Sequence, residues 1–139
     1  MKKIHILKEN REYNRIIQSY RPIRHKSYIL YVERNTNDLY KFGFSVGKKI
    51  GNAVVRNKIK RQLKNILDKK DYSNNFNCII IVTKGIISKD FSQREKELWE
   101  ALAFAGIKGE WDEKEYKEIF CTLLFTFNLN GMYKIYERW

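Results

Sequence analysis

Helices packed on a mixed β-sheet in the order α-β-β-β-α-β-α, an α/β (α+β) sandwich, are what this sequence predicts, and three observations carry the prediction. Apolar residues recur every three to four positions in three segments, 8–20, 53–69 and 92–105. Segments 27–32 and 39–46 are rich in β-branched and aromatic residues instead, with alternate residues sharing a face. Cys78 to Val82 is an unbroken apolar run, which suits an interior strand covered on both faces, as in parallel pairing. Interleaved helices and strands layer around one core, and 139 residues of 43% hydrophobic content suit one modest core.

The elements follow in order. In 8–20, Tyr13, Ile16, Ile17 and Tyr20 form the inner stripe, and the helix stops before Pro22, which bars helical geometry at Arg21. Tyr13 and Tyr20 have two readings, packing on the sheet or a stacking surface for unpaired bases. Strand 27–32 places Tyr28, Leu30 and Val32 on one face and Ile29 and Tyr31 on the other. A turn at 35–38 returns the chain as strand 39–46, where Phe42 and Phe44 share a face and Gly43 leaves the opposite face open to a close approach. Gly47 ends that strand, and 48–50 reads as a short third one. The helix over 53–69 buries Val55, Ile59, Leu63, Ile66 and Leu67, and Asn52 is its N-cap. After a connector at 71–75, the strand over 76–83 closes at Lys84-Gly85. The last helix, 92–105, opens on Ser92 and Glu95 at capping-box spacing and turns Leu98, Leu102 and Ala105 inward.

Seven of the seventeen residues from Lys48 to Lys64 are Lys or Arg, and none is acidic. On the helix this sets Arg56, Lys60, Arg61 and Lys64 in a cationic ridge beside and opposite the apolar stripe. Like charges at i,i+4 repel by a few tenths of a kcal/mol. A solvated helix face usually mixes its signs, so a phosphate-binding surface is the better reading, with Gly51-Asn52 and the first-turn N–H groups adding an anion site. Residues 1–107 carry 23 basic and 10 acidic side chains and 108–139 carry 5 and 6, so the formal charge of +12 belongs to the body of the chain. Such a field draws nucleic acid or, less specifically, an anionic membrane surface.

Other chemistries find little support. Asp38, Asp68, Asp71 and Asp90 fall in turns or at helix ends with no metal-site spacing, and neither histidine stands beside a nucleophile. His5 and His25 read as surface or RNA-facing residues, and with Cys78 and Cys121 they make no zinc pattern. The two distant cysteines and the absence of a signal peptide fit a reduced, cytoplasmic setting. The apolar run 119–127 is too short to span a bilayer, and no membrane partner is expected.

The hexamer FGFSVG at 42–47, followed by KKIGNAVVRNKIKR at 48–61, closely resembles the signature of the bacterial ribonuclease P protein subunit, a resemblance covering about residues 3–107. It implies the fold shared with the second domain of a small-subunit ribosomal protein. It further implies partnership with ribonuclease P RNA and precursor tRNA, in endonucleolytic removal of the 5′ leader. Catalysis would reside in the RNA subunit, which would hold the Mg2+ ions, with no protein catalytic residue and no obligate protein partner. Carried onto this chain, the contacts to that RNA and its phosphates fall on Lys48, Lys49, Asn52, Arg56, Asn57, Lys58, Lys60, Arg61 and Lys64. Those to the 5′ leader fall on Tyr13, Ile17 and Tyr31, in a cleft between the first helix and the sheet.

The chain departs from the family pattern in places. Lys58 stands where arginine is usual, keeping the charge but losing the planar fork. Lys64-Asn65 replaces a common Arg-Glu pair, and Ile17 offers no aromatic face. Family members usually stop shortly after the last helix, which makes 108–139 an atypical extension. It reads as a short helix at 113–118, apolar 120–127, a turn at 128–131 and aromatic 132–136. Two alternatives share the charge: a ribosomal protein of the same fold, and a DNA-binding regulator using 53–69 as its recognition helix.

Overall fold

The computed structural model describes residues 2–34, 39–72 and 75–107. A 3-10 turn at Lys3–His5 leads into α1 (Asn10–Ser19), β1 (Ile23–His25), β2 (Tyr28–Arg34), β3 (Lys41–Val46), α2 (Ala53–Leu67) and β4 (Phe76–Val82). A second 3-10 turn, Lys84–Ser88, precedes α3 (Phe91–Phe104). The sheet order is β1-β2-β4-β3, with β3 and β4 parallel and the other pairs antiparallel. The apolar run therefore forms an interior strand, and α2 is the crossover between the two parallel neighbours. The α-β-β-β-α-β-α order stands, but only two of its three early strands, β2 and β3, are among the three expected.

Residues 48–50 are a turn, closed by the Ile50 N–H donating to the Gly47 carbonyl at 3.1 Å. The extra strand is β1, which pairs His25 with Tyr28 across a two-residue hairpin. Such a tight hairpin needs a positive φ, and Lys26 adopts 51°. Without Gly or Asn in that turn, the sequence carries no ordinary signal for it. The cap of α3 also differs. Asp90 accepts from the Gln93 backbone at 2.8 Å, and the Gln93 side chain accepts from the Asp90 N–H at 3.2 Å. The box is thus Asp90/Gln93, two residues before the expected Ser92/Glu95, and it starts the helix early enough to bury Leu98, Ala101 and Leu102.

The helices take opposite faces. Tyr28 and Leu30 of β2, Phe42 and Phe44 of β3, and Phe76, Cys78 and Ile80 of β4 face α2 and α3 in the main core. Leu7 and Ile16 pack on Ile79 from the other side, with Tyr13, Ile17, Tyr31 and Ile81 around them. Residues 35–38, Cys121 and the whole of 108–139 lie outside the described residues. Cys78 is free and fully buried, and burial pushes its thiol well above the ordinary value.

His25 is not a surface residue. It is 7% exposed under α3, with Nε2 lying 2.8 Å from Glu100 Oε2, to which Lys26 Nζ donates at 3.1 Å. Burial pushes the Glu100 carboxyl up, but the hydrogen bonds from His25 and Lys26 outweigh it, and the net shift is downward. Glu33 is likewise held low, first by Arg15 and, against burial, by Asn77. A depressed carboxyl contributes stability that is full above its unfolded value and is lost as pH falls through the lower folded one. We therefore expect the urea midpoint to hold near neutrality and to fall once pH drops below the ordinary value of 4.5. Glu100→Gln should flatten that fall while costing about 1–3 kcal/mol at pH 7; an unchanged acid limb would contradict the assignment.

Candidate nucleic-acid interface

Two surfaces meet at the edge strand β3. The first begins at the turn after it, where Ile50 is buried and anchors the loop while Lys48 and Lys49 stand exposed. A Cβ on Gly51 would lie 3.0 Å from the Val55 side chain, so this close approach of turn to helix favours glycine. Asn52 caps α2 as expected, its side-chain oxygen accepting from the Val55 N–H at 3.0 Å. The amide nitrogen of Asn52 has no hydrogen-bond partner among the described residues.

Ile59, Leu63, Ile66 and Leu67 bury the inner face of α2. Val55 does not join them. It is 39% exposed, and Val54 is 76% exposed. Asn57, Lys58 and Arg61 are exposed, whereas Arg56, Lys60 and Lys64 are half-buried. These last three lie at i, i+4 and i+8, one row along a flank. Lys64 sets its Nζ 6.0 Å from the Phe44 ring centroid, which identifies this as the β3 flank. On the opposite flank Gln62 accepts from Arg94 of α3 at 2.7 Å, and Arg94 also donates to the Ile86 carbonyl, which fixes the rotation of α2.

Among the described residues no carboxylate pairs with Arg56, Lys58, Lys60 or Arg61. The Arg56 Nε is shielded from solvent without a hydrogen-bond partner there. The repulsion along the ridge thus goes unrelieved within the described chain, and an approaching phosphate would relieve it.

The second surface is a groove beside α1. Tyr13 and Ile17, one turn apart on α1, meet Tyr31 of β2 in one cluster over Ile79. The Tyr13 hydroxyl accepts from the Phe44 N–H at 2.8 Å and donates to the Leu7 carbonyl at 3.2 Å. Its ring lies over Gly43, where a Cβ would approach the hydroxyl oxygen to 2.4 Å. Burial raises the Tyr13 pKa, against the Phe44 hydrogen bond. Tyr13 therefore packs on the sheet, as one of its two readings expects, and its outer side lines the groove. Leu7, Lys8, Asn10, Asn14, Phe44 and Ser45 complete that lining, in which Tyr31, packed in the cluster beside it, takes no part. Sequence reasoning missed Asn10, Asn14 and Ser45, although Ser45 could have been found by its alternation with Gly43. Tyr20 is 40% exposed at the end of α1.

The other flank of α1 carries acidic groups beside a second pocket, to which Lys8, Glu9, Glu12, Lys41 and Asn77 contribute. Arg15 forms a two-pronged pair with Glu33, and Asn77 donates to the same carboxylate at 3.1 Å. Glu12 adds a second partner to Arg15 at 3.1 Å. Phe44 joins the two surfaces, its ring beneath Lys64 and its backbone N–H on Tyr13. Among the described residues no group of three or more His, Cys, Asp and Glu could hold a metal ion, and no helix is long and apolar enough to cross a membrane.

Fold and surface together define a basic α/β protein that presents one cationic helix beside a helix-walled groove. The family model of ribonuclease P matches residues 1–106. The ribonuclease P protein component of Mesoplasma florum is 35% identical over 103 residues, covering 70% of this chain and 92% of the relative. That of Streptococcus mutans is 33% identical over 120 residues, 86% of this chain and all of the relative. Among solved structures, Staphylococcus aureus RNase P protein superposes with a TM-score of 0.68 at 28% identity, covering 74% of this chain and 96% of the other. The Thermotoga maritima RNase P protein, at 22% identity and a TM-score of 0.64 over 69% of this chain and 93% of its own, shares the fold. The chain belongs to the bacterial ribonuclease P protein component family.

Proposed function

We propose that this protein binds the catalytic RNA of ribonuclease P through α2 and the turn before it, and holds the 5′ leader of precursor tRNA in the groove beside α1. In this reading it promotes endonucleolytic 5′ maturation of tRNA. Phosphodiester hydrolysis is carried by the RNA, which holds most of the Mg2+ that activates water; the side chains described here bind and orient. The observation that carries the reading is the row Arg56, Lys60 and Lys64, unpaired with any described carboxylate, whose Lys64 end meets the Phe44 ring at the edge strand that separates it from the groove. Lys48, Lys49, Asn52, Asn57, Lys58 and Arg61 extend the same surface as phosphate contacts, with Lys58 serving as a point charge in place of a fork.

The β3-α2-β4 crossover supports likeness to the second domain of a small-subunit ribosomal protein, and a free, buried Cys78 suits a reduced cytoplasmic setting. The test is cleavage of precursor tRNA by a bacterial ribonuclease P RNA at low magnesium, with and without this protein. Addition should restore multiple turnover, and protein freed of RNA should cut nothing. Tight RNA binding without stimulated cleavage would favour the ribosomal alternative. Cleavage by the protein alone would overturn the division of labour.

A further inference from the structure

The sheet face carrying α1 is only partly covered, and strand register shows what lies on the rest. Arg24 of β1 pairs with Ile29 of β2, Ile29 with Ile81 of β4, and Ile81 with Ser45 of β3. Residues directly opposite one another project to the same side. His25, next to Arg24, turns to the α3 side, so Arg24 must face the α1 side with the two isoleucines. Four strands at about 4.8 Å spacing make this row about 14 Å long. It begins at Ser45 in the groove beside Tyr13 and Ile17 and ends at Arg24 on the opposite edge of the sheet.

Ile29 and Ile81 are half-buried and leave apolar surface between the two ends, while Arg24 is exposed. No described carboxylate pairs with Arg24, in contrast to Arg15, which is held by Glu12 and Glu33. The acidic groups paired with Arg15 lie on the far flank of α1, while Lys8 lines the groove at the Ser45 end of the row and Arg24 stands at the opposite, open end. An apolar floor ending in an unpaired guanidinium suits a strand whose bases rest on the floor and whose phosphate meets the cation.

We propose that Arg24 is a positioning residue for single-stranded RNA: it anchors a leader phosphate at the β1 edge, so that the leader crosses the sheet from β3 to β1 over Ile81 and Ile29. The inference rests on the groove being the leader site. It makes the contribution of Arg24 depend on leader length, because only a strand long enough to traverse the row reaches β1. Its role differs from that of α2, whose charges act whatever the leader.

The experiment measures affinity of the reconstituted holoenzyme for precursor tRNAs carrying a series of leader lengths, with the full chain as wild type, Arg24→Ala and Arg24→Lys. Binding of each protein to ribonuclease P RNA is measured in parallel. Wild-type affinity should rise with leader length to a plateau. Arg24→Ala should match wild type on the shortest leaders, bind long leaders about three- to fivefold more weakly, and lower the salt slope on them by about 0.7. Arg24→Lys should recover most of the loss, and all three proteins should bind the RNA subunit equally. If wild type gains nothing from a longer leader, the leader reading itself fails. If wild type gains and Arg24→Ala gains equally, or loses affinity at every length alike, Arg24 is not the anchor.

Discussion

Replacing Lys60 and Arg61 together by alanine is expected to weaken assembly with ribonuclease P RNA by about 100-fold at physiological salt. Each side chain contributes one charge-assisted contact to phosphate, and such contacts are worth about 1.5 kcal/mol apiece after desolvation. The salt slope of binding should fall by about 1.5, since each phosphate contact accounts for about 0.7–0.9. Stability should hardly change, because no described carboxylate pairs with either residue and neither belongs to the buried stripe of α2. Removing two like charges from the ridge would offset part of any lost packing by Lys60. Filter binding across a salt series, beside a urea melt of the free protein, separates the two effects. Equal affinity for the RNA would remove α2 from its assigned role, whereas a collapsed melt would show that the ridge serves the fold.

That ridge was legible in the sequence because helical periodicity and charge are both local properties. One hundred degrees per residue separates Ile59, Leu63 and Ile66 from Arg61 without knowledge of the partner layer. Gly43 was legible for a similar reason, as alternation with Phe42 and Phe44 marks an open face. The misses all needed information from beyond the neighbouring residues. Val55 fits the apolar stripe, yet its side chain lies against Gly51 of the preceding turn, so its surroundings are set by how that turn folds. β1 is too short to show a period, and its existence depends on the free edge of β2. His25 reads as a surface or RNA-facing residue because nothing nearby in sequence announces Glu100, 75 positions later. The α3 cap moved to Asp90 because Asp-x-x-Gln competes with Ser-x-x-Glu two residues on, and only the docking depth of the helix chooses between them.

The groove depends on the opposite kind of constraint, an absence of side chain. Gly43→Ala is expected to cost about 1–3 kcal/mol of stability. The added carbon would sit 2.4 Å from the Tyr13 hydroxyl oxygen and 2.6 Å from the ring carbon that bears it. The ring cannot simply swing aside, because its hydroxyl is held by the Phe44 N–H and the Leu7 carbonyl, and breaking those bonds leaves partly buried polar groups unpaired. The strain should therefore lift α1 away from β3 and disturb the leader side of the molecule while leaving α2, on the opposite face of the sheet, able to bind RNA. Tyr13→Ala removes the obstacle, so the double variant should be more stable than the sum of the single losses allows, by about 1 kcal/mol or more. Urea unfolding of the four proteins measures that coupling. Tyr13→Ala should also cost about 1–3 kcal/mol in leader-dependent binding through the lost aromatic wall, and the double variant should not recover it. Strict additivity in stability would mean that Gly43 and Tyr13 do not press on one another, and the groove would need another explanation for its shape.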